Sequence, residues 1–254
     1  MSDSAIATRN CPLCNSQDYR YVGNKPAFNR DHHYSQCNDC SLIFANQLPS
    51  MEQMDEAYAG GFTVRSIGRK TTKLAPLIGY FKLKRLFSSN KEPITFLDIG
   101  SNAGYFTEAA RRLGCDASGI ELNSEAVALA QDKYPLNNYY CETIEQFSER
   151  GKKFDIIYCS EVIEHALDFH SFVKAIKDCS HDNTLLFLTT PDAAHFKVPK
   201  DLISWKEIIP VEHLHLFDKK NLRKLLQQYG YDIKFSYPML RANQRHFCKP
   251  IKNA

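Results

Sequence analysis

The sequence predicts an α/β fold, with a mostly parallel sheet covered on both faces and a small cysteine-rich domain ahead of it. Three observations carry this. Short, almost continuously apolar runs alternate with amphipathic helical runs, the pattern of strands buried on both faces. One apolar run ends in an acid and a glycine-containing turn that opens a helix. Two C-x-x-C pairs stand near the N-terminus, apart from that alternation.

The first strand is the run at 96–99, leading through Asp98, Gly100, Ser101, Asn102 and Gly104 into a helical run over 105–113. Glycine lets a backbone approach a ligand closely, and a helix N-terminus offers free N–H groups, so this corner suits a nucleotide-like ligand. The order Asp-x-Gly-x-Asn-x-Gly differs from the dinucleotide fingerprint G-x-G-x-x-G, and Gly-Lys-Ser/Thr is absent, which excludes a P-loop. An Asp at the strand end repels phosphate and attracts an amino group. Asn102 tolerates positive φ better than most residues. A second strand over 116–121 ends in Glu121, placed to bind a ribose diol through charge-assisted hydrogen bonds. Ser124 is the expected N-cap of the next helix. A third strand leaves through Glu142 and Thr143, a fourth spans 154–160 and a fifth 184–190. A helix over 169–177 lies between the last two. Asp218 caps a helix over 218–229 that Gly230 ends, and strands over 231–237 and 244–249 follow.

In their order, these blocks resemble the class I S-adenosylmethionine (SAM) methyltransferases, whose first motif is usually D-x-G-x-G-x-G; Asn102 replaces the middle glycine. The segment Glu161-Val-Ile-Glu-His165 is also similar to that family's fourth-strand block. The resemblance covers about 91–240. It implies a Rossmann-like sheet of seven strands, SAM as cofactor, and a pocket in which the turn from Asp98 through Gly100, Ser101, Asn102 and Gly104 cradles the amino-acid end. Glu121 would hold the ribose. Leu122 and Asn123, with Glu142, Thr143 and Ile144, would lie beside the adenine, and Cys159, Ser160 and Glu161 beneath the sulfonium.

The pairs Cys11–Cys14 and Cys37–Cys40 are separated by 22 residues, slightly longer than the zinc-ribbon spacing. Four thiolates on two such turns suit a tetrahedral, structural Zn²⁺ with no open position for a catalytic water. A redox dithiol fits less well, because such motifs are usually single. Ribbon-bearing methyltransferases that this arrangement resembles act on small polar molecules, some of them nucleotide-linked sugars. The expected organisation is therefore a ribbon over 1–47, a helical basic connector over 48–90, and a catalytic domain over 91–254 with an acceptor-side insertion at about 193–217.

The basic run Arg65, Arg69, Lys70, Lys73, Lys82, Lys84 and Arg85 of the connector, ending at Lys91 just past it, is either a solvated face or an attraction for a phosphorylated or nucleotide-linked acceptor. The net charge of +3 over 254 residues argues against nucleic acid as the main partner. No run approaches the roughly 20 apolar residues that span a bilayer, and the first ten residues lack a signal-peptide core. Nine cysteines without a disulfide-like framework point to a reduced, cytoplasmic setting. The oligomeric state is not legible.

Glu212-His213 is similar to a Glu-His pair that ribbon-bearing sugar methyltransferases use in deprotonation. His213 is the first candidate base, with Glu212 to orient it, and His165 and His215 are alternatives. The expected activity is methyl transfer to a small acceptor, most readily a hydroxyl; Asn/Asp-Pro-Pro-Tyr and a Pro-Cys nucleophile are both absent. An RNA methyltransferase and a non-catalytic SAM-fold protein are the competing readings.

Overall fold

The computed structural model describes residues 9–57, 94–237 and 240–251. The basic run from Arg65 to Lys91 lies outside them. The described chain begins with a hairpin, β1 (Tyr19–Ala27) and β2 (Arg30–Cys37), followed by β3 (Ile43–Ala45) and α1 (Met51–Ala57). The central sheet starts with β4 (Thr95–Ile99), α2 (Tyr105–Arg112), β5 (Asp116–Ile120), α3 (Ser124–Lys133) and β6 (Asn138–Tyr140). It continues with α4 (Ile144–Ser148), β7 (Phe154–Ser160), α5 (Phe169–Asp178) and β8 (Ser180–Pro191). After the two-residue β9 (His215–Leu216) come α6 (Lys219–Gln228), β10 (Tyr231–Tyr237) and β11 (Asn243–Pro250).

Seven strands pair in the order β10-β11-β8-β7-β4-β5-β6. β4 through β8 run parallel, and β11 is antiparallel to β8 and β10. Successive residues of β4 and β7 alternate between two buried faces, as in a parallel sheet covered on both sides. Leu97, Ile157, Cys159, Leu186 and Leu188 pack with Phe172, Val173 and Ile176 of α5 and Leu222 and Leu225 of α6. Phe96, Ile156, Tyr158 and Phe187 pack with Ala109 and Ala110 of α2. From β4 the chain adds strands first on one side and then, from β7, on the other. The connections leaving β4 and β7 diverge there and open a crevice at the carboxyl ends of the strands.

The N-cap of α3 is Asn123 and not Ser124: Asn123 Oδ1 accepts from the Ala126 N–H at 2.8 Å, which makes Ser124 the first helical residue. Asp218 caps α6 in a reciprocal box with Asn221, and Gly230 stops it at φ 73°.

The hairpin turns through Phe28 and Asn29, both at positive φ, as a two-residue turn requires when it follows the strand twist. Its sheet does not end at β3. β9, which lies in the acceptor-side segment, forms the fourth strand in the order β1-β2-β3-β9. Among the described residues, no helix is long and apolar enough to cross a membrane.

Candidate active site

The turn after β4, the expected cofactor corner, is built by backbone conformation. Gly100, Asn102 and Gly104 hold φ of 70°, 49° and 74°, so the turn occupies left-handed space three times within five residues. A Cβ on Gly100 would lie 2.6 Å from Val162 Cγ2, and one on Gly104 would lie 2.7 Å from Cζ of Tyr139. Asp98 is buried and accepts a hydrogen bond from Thr107 Oγ1 at 2.8 Å. Glu121 Oε2 accepts from the Asn102 N–H and Oε1 from the Asn123 N–H, both at 3.0 Å, which ties the two strand ends together. Ser101 Oγ is buried without a hydrogen-bond partner among the described residues. A close-approach turn, two fixed carboxylates and an unused hydroxyl fit the amino-acid and ribose ends of SAM.

The outer residues differ in what they offer. Leu122 is half exposed beside Asn123. Glu142 is ion-paired with Arg150 at 2.9 Å, Thr143 caps α4 and Ile144 is buried. Cys159 is fully buried in the apolar core and paired with Ile99 and Leu188 in the sheet, whereas Ser160 Oγ shares a 2.8 Å hydrogen bond with Thr189 Oγ1.

On the other side of the crevice, Glu161 sits at φ 57°, a strained conformation for a residue of its size. Its carboxylate accepts from Thr189 Oγ1 at 2.8 Å and from Asn243 Nδ2 at 2.9 Å, and burial raises its pKa. Glu164 is completely buried. Thr190 Oγ1 donates to its Oε2 at 2.8 Å, while Oε1 has no partner among the described residues. Burial, reinforced by the nearby charge of Glu161, pushes its pKa well above the usual carboxylate range.

His165 and His213 meet edge to face, with ring centroids 4.8 Å apart. His165 Nδ1 bonds the Glu212 carbonyl at 2.8 Å, and His213 Nδ1 bonds the Glu207 carbonyl at 2.7 Å. Each Nδ1 must carry the proton in such a bond. Burial lowers His165 to about 3 and His213 to about 4, so both rings are neutral near pH 7. Glu212 thus meets His165 through its main chain, and His213 takes its orientation from Glu207, where the sequence reading gave that role to the Glu212 carboxylate. Burial raises the Glu212 carboxyl to about 7. His215, the remaining alternative base, is buried between Phe169 and Arg9.

Glu164, His165 and His213 bring one ligand-type atom each to within 4.8 Å of one another, a donor set that could hold a divalent cation. Sequence reasoning passed over Glu164 and Glu207. The Glu-x-x-Glu-His spacing signals the first. Nothing in the sequence signals the second, which acts through its carbonyl.

The two cysteine knuckles repeat one geometry. The Asn15 N–H bonds the Cys11 carbonyl at 2.8 Å and the Ser41 N–H bonds the Cys37 carbonyl at 3.0 Å, and Asn15 and Ser41 both have positive φ. The Sγ atoms of Cys11 and Cys40 lie 3.5 Å apart, as do those of Cys14 and Cys37. Four sulfurs at ~2.3 Å around a tetrahedral Zn²⁺ would lie roughly 3.8 Å from one another, so the cluster fits that ion. A hydrogen bond from Cys40 brings the Cys11 thiol down to about 5.

Comparison with known proteins agrees with this geometry. Residues 80–234 match the family described as "Methyltransferase domain". The ubiquinone biosynthesis O-methyltransferase of Glaesserella parasuis is 33% identical over 37% of this chain and 44% of its own length. That of Bartonella tribocorum is 26% identical over 60% of this chain and 72% of its own. Among solved structures, the 1,6-didemethyltoxoflavin-N1-methyltransferase of Burkholderia thailandensis, holding S-adenosylhomocysteine, superposes with a TM-score of 0.58 at 12% identity, over 91% of this chain and all of that one. A SAM-dependent methyltransferase from Clostridium acetobutylicum gives 0.55 at 11% identity, over 79% and 99%. The match over more than half of the chain places this protein in the methyltransferase-domain family.

Proposed function

We propose that the protein transfers a methyl group from SAM to a hydroxyl of a small polar acceptor, such as a sugar, a nucleotide-linked sugar or a secondary metabolite, and that its four cysteines hold a structural Zn²⁺. SAM, when bound, supplies a methyl group already activated for transfer, so this chain has to align the acceptor and take up its proton. The observation that carries the reading is the pair of neutral imidazoles, His165 and His213, beside the acids Glu161 and Glu164. Val162, in the same segment, packs on Gly100, which supports these groups lying near the cofactor. With Nδ1 protonated, His213 offers Nε2 as proton acceptor. The O-methyltransferase names of the curated relatives support oxygen as the atom methylated.

In this reading Asp98, Gly100, Ser101, Asn102 and Gly104 hold the amino-acid end of the cofactor and Glu121 the ribose. Leu122, Asn123, Glu142, Thr143 and Ile144 border the adenine, and Cys159, Ser160 and Glu161 underlie the reacting methyl. A second reading is favoured by the orphan oxygen of Glu164: a divalent cation on Glu164, His165 and His213 would polarise the acceptor oxygen directly.

Calorimetry with S-adenosylhomocysteine, and turnover of labelled SAM against sugars, nucleotide-sugars, phenolic metabolites and RNA, test these statements. Glu121→Ala should weaken cofactor binding. His213→Gln should lower kcat by about 10²-fold or more without changing it. Turnover of RNA alone would overturn the small-acceptor reading, and no turnover of any acceptor would leave a binding protein. Activity that a chelator abolishes and Mg²⁺ restores, with zinc content unchanged, would select the cation reading.

A further inference from the structure

The ribbon and the acceptor side share one sheet and one core. β3 pairs with β9 through Ile43 opposite Leu216 and Phe44 opposite His215, and the Ala45 N–H donates to the Leu214 carbonyl at 2.9 Å. Tyr34, Ile43 and Ala45 of the ribbon pack in one apolar cluster with Trp205, Ile208 and Leu214. Lys25 Nζ donates to the Ile208 carbonyl at 2.8 Å. Tyr34, only 1% exposed, donates its hydroxyl to the carbonyl of His213 at 3.3 Å.

The cysteine knuckles are fastened to the same half of the molecule. The Pro12 carbonyl bonds His170 Nε2 at 3.0 Å, and the Cys40 carbonyl accepts from Asn221 Nδ2 at 3.1 Å. Among the described residues, the hydrogen bonds that leave the ribbon end on residues 170–221. At the cofactor corner, Thr107 Oγ1 donates to Asp98 and the Asn102 and Asn123 N–H groups donate to Glu121.

From this division we propose that the ribbon is the positioning element of the acceptor site, with Tyr34 as the positioning residue that fixes the main chain of His213. Zn²⁺ held by Cys11, Cys14, Cys37 and Cys40 would clamp the two knuckles. The clamped knuckles set the hairpin and β3, and these in turn hold the segment over 205–216 against the crevice. Zinc loading therefore governs the acceptor side while leaving cofactor binding intact. This inference rests on the proposed reading that His213 faces the acceptor.

The test uses the full chain. Hydrogen exchange of peptides from 205–216 and from 95–123 is compared in the zinc-loaded protein, in protein stripped by a chelator under reducing conditions, and in loaded Tyr34→Phe and Lys25→Met. S-adenosylhomocysteine affinity is measured on all four. Stripping is expected to speed exchange over 205–216 at least about tenfold, with 95–123 and cofactor affinity unchanged. Tyr34→Phe, which retains zinc, is expected to speed it about fivefold, the worth of one hydrogen bond. With the hydroxyl acceptor that turns over, Tyr34→Phe lowers kcat while the KM for SAM stays constant.

Unchanged exchange over 205–216 after stripping overturns the proposal. If stripping unfolds the whole chain, the two zinc-loaded variants decide: protection over 205–216 equal to that of the parent overturns it. Absence of S-adenosylhomocysteine binding by the intact protein is a different failure, which removes the proposed function and not the coupling of the ribbon to 205–216.

Discussion

The cofactor corner and the acceptor side each hold a few polar groups in fixed places, but they draw on very different lengths of chain. Asp98, Gly100, Asn102, Gly104 and Glu121 come from two adjacent parallel strands and their turns, and left-handed backbone does most of the placing. On the acceptor side, Glu164 and His165 follow β7, Glu207 and His213 come from the segment before β9, and Tyr34 arrives from the ribbon. One half is short-range and set by dihedral angles. The other is long-range and set by packing. A substitution in the first should act through conformation, and one in the second through charge and contact.

The largest effect is expected from Gly104→Val. A β-branched side chain at φ 74° is strained, and its Cβ would overlap the Tyr139 ring. Loss of about 3 kcal/mol in denaturant unfolding and of S-adenosylhomocysteine binding is the expected outcome. Retained affinity in calorimetry would break the claim that dihedral angles build this corner.

Glu164→Gln should separate stability from function on the acceptor side. The acid is wholly buried, so replacing it by a neutral isostere should leave the melting temperature unchanged or raised. Methyl transfer, followed with labelled SAM, should fall about 10²-fold. A variant that is destabilised yet fully active would contradict both parts.

Acid should act mainly on the packed half. Burial lowers His165 and His215 to about 3, and His213 and His246 to about 4. Their folded pKa values lie below the unfolded one, so the unfolded chain binds more protons as the pH falls from about 6.5 toward 4, and stability present above that window is lost through it. The raised carboxyls of Glu161, Glu164 and Glu212 act in the opposite sense, since folding keeps them protonated as the pH rises above the ordinary Glu value. A difference between variants resolves what the net curve hides. His246→Gln should cut the proton uptake on unfolding near pH 5 by close to one, read as a shallower slope of unfolding free energy against pH. An unchanged slope would show that His246 titrates normally in the fold.

The smallest effect is expected at Asn102→Gly. At φ 49° the change restores the family's usual residue and removes a side-chain bond to the Ala103 N–H. Cofactor affinity should move by less than about threefold.

The corner was readable because its signals are local. Gly100 and Gly104 stand where φ is positive, Asn102 takes the left-handed conformation its chemistry allows, and Glu121 directly follows β5, the strand paired with β4. The knuckles were readable for the same reason, as was the cap at Asp218. The helix start at 123–124 slipped by one residue because Asn and Ser are both good caps. β8 begins at Ser180, well before the apolar run at 184–190, because its first residues lie partly in solvent. β9 is a two-residue strand that exists only through its pairing with β3, and no local pattern announces it. The orientation of His213 depends on a carbonyl six residues earlier, a role any side chain at Glu207 would leave intact. The reach from ribbon to base was likewise invisible, since Tyr34 and Lys25 look like ordinary hairpin residues.

The pairing of β3 with β9 also bears on how the chain is made. Synthesis proceeds from the N-terminus, so the knuckles and the hairpin can close while residues 215–216 are still to be added. Throughout that interval β3 presents an open strand edge, with the large apolar side chains of Ile43 and Phe44 beside it, the kind of edge on which nascent chains aggregate. A chain stopped before β9 would keep that edge uncovered, so its soluble yield should fall even when zinc is plentiful. The strand proposed to frame the acceptor site is also the one that ends this exposure.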